Sequence, residues 1–174
     1  PPPFFFFTPT PEYDISACLV GSEMCIRDSG YRLRSAFDIQ LSGDPVIGNE
    51  QYSAGGLNSV RGYLSSQELA DGGYTIQTEI WTPELAEMFE NDLLTSLRFL
   101  GFVDYARLHN RKAAASGRDS GIDIMGAGFG VRAGLARGFS LDLDIASPLK
   151  KSSPGSAAVK SGDWLTHFSI TGQY

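Results

Sequence analysis

The residues of this chain that could do chemistry are one arginine and two carboxylates. Arg61 lies in a glycine-rich stretch that ends at Tyr63, and Glu79 and Asp104 follow in two later segments. An arginine stays charged at physiological pH, and its planar guanidinium can bind a carboxylate through two parallel hydrogen bonds. These residue types have the chemistry of ion pairing, and none of them is accompanied by a candidate nucleophile.

Three other patterns resemble sites but lack the necessary context. Residues 128–133 read G-x-G-x-x-A, but the dinucleotide-binding motif requires a strand-to-helix turn, and no helical pattern follows here. His109 and His167 lack the spacing of metal ligands. Asp142 and Asp144 share a face without a positioned partner, which favours the lining of a polar interior. The sequence therefore predicts no catalytic residues, no metal and no cofactor.

Segments that alternate apolar and polar residues must position the charged groups. There are six of them, at residues 31–41, 74–82, 95–107, 122–134, 139–149 and 163–174. Glu79 and Asp104 both fall on the polar face of their segment, and Phe102 lies on the same face as Asp104. The connection 42–73 carries Arg61. Long polar connections alternate with shorter turns, as in outer-membrane barrels, although a soluble sandwich would alternate as well.

Six strands do not close a membrane barrel, since even the smallest barrels need about eight. The open edges would leave unpaired backbone groups in hydrocarbon. We therefore expect an all-β chain made of the last six antiparallel strands of a larger transmembrane barrel, and we do not expect this part to fold stably alone.

The first 29 residues differ in composition from the rest of the chain. They begin with the low-complexity run Pro1–Phe7 and hold both cysteines, Cys18 and Cys25. They lack the basic start and the cleavage site of a signal peptide. The stretch that contains the cysteines resembles translated sequencing-adapter read-through. We expect a non-native, disordered leader ahead of a barrel segment at 30–174, and a genuine disordered leader is the alternative.

The bulk composition excludes some classes of protein. The chain has 174 residues and a formal net charge of −6, which indicates one domain and argues against nucleic-acid binding. No apolar run reaches the roughly 18 residues of a transmembrane helix. A mean hydropathy of −0.11 suits a polar-lined barrel as well as a soluble protein.

Five stretches carry a resemblance to a known family. Asn58–Tyr63 is similar to the Val-Arg-Gly-aromatic signature of the outer-membrane superfamily that contains two-partner secretion transporters and the barrel-assembly insertase. Glu68–Tyr74, Glu79–Pro83 and Phe102–Asp104 resemble further motifs of the ShlB/FhaC/HecB type of secretion transporter. The closing stretch Trp164–Tyr174 resembles the last strand of that family.

The resemblance covers residues 31–174 and implies a place in the bacterial outer membrane. The family barrel has sixteen strands, an even number within the known range, and periplasmic POTRA domains precede it. Its motif loop joins strands eleven and twelve, and counting back from Tyr174 places connection 42–73 there. The implied partners are a secreted exoprotein, outer-membrane lipid and, during biogenesis, the barrel-assembly machinery.

The resemblance also implies roles for individual residues. In the family the motif loop folds back into the barrel, and its arginine contacts acidic residues on the inner wall. By motif, Asp104 and Glu79 are the partners of Arg61, and Phe102 belongs to the strand motif. The motif-loop residues are Gly55, Gly56, Val60, Arg61, Gly62 and Tyr63.

The end of the chain has a second possible role. Tyr174 follows apolar residues at alternating positions, Trp164, Phe168 and Ile170. This pattern resembles the signal read by the outer-membrane insertion machinery, and an interfacial aromatic girdle is the alternative.

The leading prediction is an outer-membrane transporter, not an enzyme, that secretes and activates a partner exoprotein. An insertase of the same superfamily is one alternative, because it shares the motif loop. A soluble β-domain that binds ligands or partners is another, and it predicts an apolar core between two packed sheets.

Overall fold

The chain folds almost entirely into β-strands. The computed structural model describes residues 18–28, 30–89, 93–111, 121–136, 138–150 and 163–172. The strands in chain order are β1 (Cys18–Asp28), β2 (Tyr31–Leu41), β3 (Tyr52–Ala54), β4 (Glu68–Ala70), β5 (Gly72–Trp81), β6 (Leu94–His109), β7 (Gly121–Leu135), β8 (Phe139–Pro148) and β9 (Leu165–Gly172). Two single-turn 3₁₀ helices, Gly48–Glu50 and Ala86–Met88, complete the described elements.

Seven of the strands form one antiparallel sheet. Its order is β1-β2-β5-β6-β7-β8-β9, so β1 and β9 stand at the two ends of the order. The motif loop between β2 and β5 contains the other two strands, which pair with each other as a small second sheet.

Strict alternation of side chains divides the main sheet into two faces. On the outer face, large apolar side chains such as Ile80, Phe99 and Phe129 remain exposed. On the inner face, Glu79 and Asp104 are buried. The period of two in the sequence produces this division directly, because successive side chains of a strand point to opposite sides.

The apolar core lies between the motif loop and the inner face of the sheet. The loop contributes one half, and β6 and β7 contribute the other. Its members are Tyr52, Ala54, Val60, Tyr63, Ala70, Ala106, Leu108, Ile122 and Ile124. A sandwich would instead bury its core between two broad sheets.

Among the residues that the structure describes, no helix is long and apolar enough to cross a membrane.

The all-β prediction is confirmed, and β2 and β5–β9 correspond to the six predicted segments. The bounds of β2 equal the predicted ones, and the ends of the other strands differ from the predicted bounds by at most two residues. The small β3–β4 hairpin inside connection 42–73 was not predicted, because strands of three residues show no readable alternation.

The prediction of a disordered leader is wrong for Cys18–Asp28. These residues form β1 and pair with β2 in continuous antiparallel register, from Cys18 opposite Leu41 to Asp28 opposite Tyr31. Backbone hydrogen bonding to the edge of β2 requires no alternation of side chains, so the sequence pattern did not reveal this strand. Residues 1–17 lie outside the described residues, and the non-native origin of the leader stays a prediction.

Candidate functional site

Glycines shape the motif loop where it turns along the inner face. The φ angles are 112° at Gly55, 96° at Gly56 and 95° at Gly62, a region that side chains disfavour. Space is restricted as well at Gly62, because a methyl group there would come within 2.9 Å of the Ser147 carbonyl carbon. The backbone of the loop therefore lies directly against the end of β8.

Arg61 is buried against two strands of the wall. Its Nε and Nη2 donate to the two carboxylate oxygens of Asp104 at 2.6 and 2.7 Å. Its Nη1 donates to Glu79 Oε1 at 2.7 Å, and its backbone N–H donates to Asp104 Oδ2 at 3.1 Å. The structure thus brings together the three charged residues that the motifs single out.

An aromatic ring completes the Arg61 environment. The guanidinium carbon of Arg61 stands 3.6 Å from the centre of the Phe102 ring, and Phe102 is buried. A guanidinium over an aromatic face gains a cation–π attraction that strengthens when water is excluded. The ring of Phe102 therefore packs against the face of the guanidinium, while Asp104 and Glu79 accept hydrogen bonds from its N–H groups.

The charges of this cluster compensate one another. Burial alone lowers the pKa of Arg61, but hydrogen bonds and negative charge from Asp104, and then from Glu79, outweigh that effect and raise its pKa above the ordinary value. Arg34 Nη1 lies 3.5 Å from Glu79 Oε2, and the Trp81 indole N–H donates to the same oxygen at 3.0 Å. A buried ion pair is costly unless its remaining lone pairs are satisfied, and these contacts satisfy them.

A second charged cluster lies on the same inner face. Arg132 Nη2 donates to both carboxylate oxygens of Asp144 at 2.9 and 2.8 Å, and its Nε lies 3.4 Å from Asp142. A cavity of about 370 Å³ is lined by residues of both clusters, with Arg61 and Arg132 among them. The sequence interpretation of Asp142 and Asp144 as interior lining agrees with this position, but it did not single out Arg132.

The Tyr63 hydroxyl fastens the loop to the wall. It accepts a hydrogen bond from the Met125 N–H at 3.2 Å. The carbonyl oxygens of Met125 and Lys150 lie 3.0 and 2.5 Å away, and either can accept its proton. Burial raises the pKa of Tyr63, so the hydroxyl stays protonated in the neutral range.

A buried carboxylate ties the loop to its neighbours. Asp71 Oδ1 accepts from the Val46 N–H at 3.2 Å, and its Oδ2 accepts from the Arg111 N–H at 2.7 Å. Asp71 thereby connects the start of the motif loop, its end, and the connection that follows β6. The aspartate stands within a stretch that resembles the family, but its type alone did not reveal this role.

The residues of the proposed C-terminal signal lie on the last strand and just before it. The side chains of Trp164, Phe168 and Ile170 are exposed. Phe168 also belongs to the lining of the cavity that Arg61 and Arg132 share. Tyr174 lies outside the described residues, and the assembly-signal role stays a prediction.

Comparison with known proteins identifies a family that includes the residues of this site. The family model of the haemolysin secretion/activation protein ShlB/FhaC/HecB matches residues 13–133. This chain belongs to that family. The matched range includes β1, which the sequence pattern assigned to a non-native leader, and it includes the motif loop with Glu79 and Asp104.

Among solved structures, this ShlB/FhaC/HecB family member is similar to CdiB from Acinetobacter baumannii. The TM-score is 0.58 and the sequence identity is 22%, over 86% of this chain and 25% of the CdiB chain. The likeness shows a shared fold, and the chain spans about a quarter of the length of CdiB. No curated protein matches the chain.

Proposed function

We propose that this chain is the motif-loop part of a bacterial outer-membrane transporter that secretes a partner exoprotein. The observation that carries the proposal is the buried Arg61, bound to Asp104 and Glu79 on the inner face of a sheet whose outer face is apolar. Family membership supports secretion in preference to the insertase alternative. The exposed apolar outer face argues against a soluble β-domain, because soluble domains rarely expose large apolar patches.

In this proposal the sheet is part of a closed barrel of sixteen strands, with POTRA domains before it. The outer face contacts lipid, where the exposed apolar side chains are stabilised. The inner face borders a polar lumen, and the motif loop occupies part of it. The barrel-assembly machinery would insert the protein and read its C-terminal strand.

The loop has the properties of a fixed element inside the lumen. Its core residues are buried against β6 and β7, and Arg61 is bound through charge-assisted hydrogen bonds, which are stronger than neutral ones. We propose that this docked loop sets the geometry of the path taken by the exoprotein. No bond-making step is required, which agrees with the family's role as transporters.

The decisive experiment compares two arginine variants in the full-length transporter. Arg61→Ala should reduce secretion of the partner exoprotein, while the barrel stays folded as judged by its heat-modifiable mobility. Arg107→Ala is the matched control, because its side chain is 60% exposed on the outer face of the same wall. The control should secrete normally.

A conservative variant keeps the test informative if Arg61→Ala fails to fold. Arg61→Lys retains the charge but loses the planar fork that binds both oxygens of Asp104. We expect a folded barrel with reduced secretion. Normal secretion by a folded Arg61→Ala or Arg61→Lys protein would refute the role of Arg61.

A further inference from the structure

A glycine on β7 faces the motif arginine directly. Asp104 of β6 and Gly126 of β7 are cross-strand partners in the antiparallel register. The backbone of Arg61 lies over this pair. Its N–H donates to Asp104 at 3.1 Å, and its carbonyl oxygen lies above Gly126.

No side chain fits at Gly126 while the loop is in this position. A methyl group there would stand well inside 3.0 Å of the Arg61 carbonyl oxygen and 3.1 Å from the carbonyl carbon. The crowding atoms belong to the backbone, so rotation of a flexible side chain cannot relieve the overlap. Either the Arg61 backbone or strand β7 must move.

The conformation of the strand does not itself require glycine at this position. The positive φ angles of the described residues lie at Gly30, Ser66, Gly138 and the motif-loop glycines, and Gly126 is not among them. An alanine at 126 is therefore compatible with the backbone of β7. What excludes it is the space that Arg61 occupies.

We propose that Gly126 is a positioning residue for Arg61. The missing side chain lets the Arg61 backbone approach the wall closely enough for its N–H and its guanidinium to bind Asp104 together. The atoms nearest to a methyl group at Gly126 are the Arg61 carbonyl group and Val60 Cγ1, so Gly126 acts through the distance between the Arg61 backbone and the wall. The secretion readout of this proposal rests on the proposed function, whereas the loop readout below does not.

The test is Gly126→Ala in the full-length transporter, with Gly101→Ala as the matched control. Gly101 is also a strand glycine, but the nearest atom to a methyl group there is Ile80 Cγ2 at 3.7 Å, an ordinary contact. Loop position is read from tryptic cleavage after Arg61 in the folded protein, since Arg61 is only 2% exposed. We expect Gly126→Ala to be cleaved about tenfold faster than wild type, and Gly101→Ala to be unchanged.

A double-variant comparison separates a positioning role from a general structural one. If Gly126 acts through Arg61, then Gly126→Ala should reduce secretion in the wild-type background and add nothing to Arg61→Ala. Additive losses would overturn the proposal, as would a Gly126→Ala protein that matches the Gly101→Ala control. A Gly126→Ala barrel that fails to fold would also overturn it, because Gly126 would then serve the barrel itself.

The two proposals can fail separately. Normal secretion by Arg61→Ala would remove the proposed role of Arg61 in secretion, yet cleavage of the Gly126→Ala loop would still report on positioning. Impaired secretion by Arg61→Ala with an unaltered loop in Gly126→Ala would remove only the positioning role.

Discussion

At the scale of single residues, neighbouring residues of the motif loop bind the wall through different kinds of contact. Arg61 binds the wall through charge, Gly62 lets the backbone meet β8, and Tyr63 adds a buried hydroxyl at β7. These contacts reach different strands, so the loss of one leaves others in place. The effect of a single substitution is therefore expected to be local and measurable, provided that the barrel stays folded.

The hydroxyl of Tyr63 offers one such measurement. Tyr63→Phe keeps the buried ring but removes the acceptor of the Met125 N–H and the donor to the Lys150 carbonyl, whereas the Met125 carbonyl still accepts from the Leu149 N–H at 2.7 Å. Leaving buried polar groups unpaired costs about 1–3 kcal/mol, so the loop should undock more often. Faster tryptic cleavage after Arg61 in the folded protein would reveal this. Tyr31→Phe is the control, because Tyr31 is 54% exposed and should behave as wild type; equal cleavage of both variants would contradict the prediction.

The sequence predicted the charged residues of the site but not all that hold them. Glu79 and Asp104 could be predicted because their segments alternate and their motifs resemble the family. Gly126 could not be predicted, because the requirement for glycine there is steric. It comes from the backbone of Arg61, a loop residue distant in sequence. Arg132 was missed because an arginine on a polar strand face is ordinary until the contact of its Nη2 with both Asp144 oxygens is known.

At the scale of elements, the motif loop behaves as a small docked layer. The hairpin of β3 and β4 brings Tyr52 and Ala54 to the wall, and Tyr52 shares a hydrogen bond with Thr75 of β5 at 2.6 Å. Apolar burial adds to the ion pairs in holding this layer. Because buried ion pairs gain little net free energy, the apolar contacts should supply much of the docking stability.

A substitution in the wall tests that view. Ile124→Ala should loosen the loop, because Ile124 is fully buried in the core and shortening a large buried side chain to alanine costs about 2–5 kcal/mol. Hydrogen exchange of the loop amides in the purified protein would measure the loss of protection. Val103→Ala on the outer face is the control and should leave the exchange unchanged. Unaltered hydrogen exchange of the loop amides in Ile124→Ala would show that the charged contacts alone keep the loop docked.

At the scale of elements, alternation in the sequence predicts the long strands but not β1, β3 and β4. Six long strands could be predicted because alternation over about ten residues is a strong signal. The three-residue strands of the hairpin, and β1, whose sequence shows no period of two, form because backbone groups find partners on a neighbouring strand. That pairing is a property of the assembled sheet and leaves no period in the sequence.

At the scale of the whole molecule, the two faces of the sheet have opposite requirements. The outer face presents apolar side chains at mid-strand, and the inner face presents charged groups, glycines and the loop. In a bilayer the first would meet hydrocarbon and the second the lumen. Substitutions of equal size should therefore have unequal effects on the two faces.

One arginine substitution on each face would test this difference between the faces. Val103→Arg should lower the amount of folded barrel in the outer membrane, because an arginine on the lipid face costs about 2–4 kcal/mol near the midplane. Ser169→Arg, which adds the same charge at the lining of the inner cavity, should be tolerated better. The heat-modifiable electrophoretic mobility of the protein in membrane extracts measures the amount of folded barrel for both variants. Equal losses would argue against lipid contact at Val103.

The apolar core under the motif loop also sets an order of events. Its wall half comes from β6 and β7, so the surface that receives Val60 and Tyr63 exists only after those strands have paired. In the proposed transporter, entry of the loop would therefore be a late step of biogenesis, because its contacts join residues far apart in sequence. A barrel still being assembled would have an unobstructed interior, and the lumen would acquire its final shape only when the wall is complete.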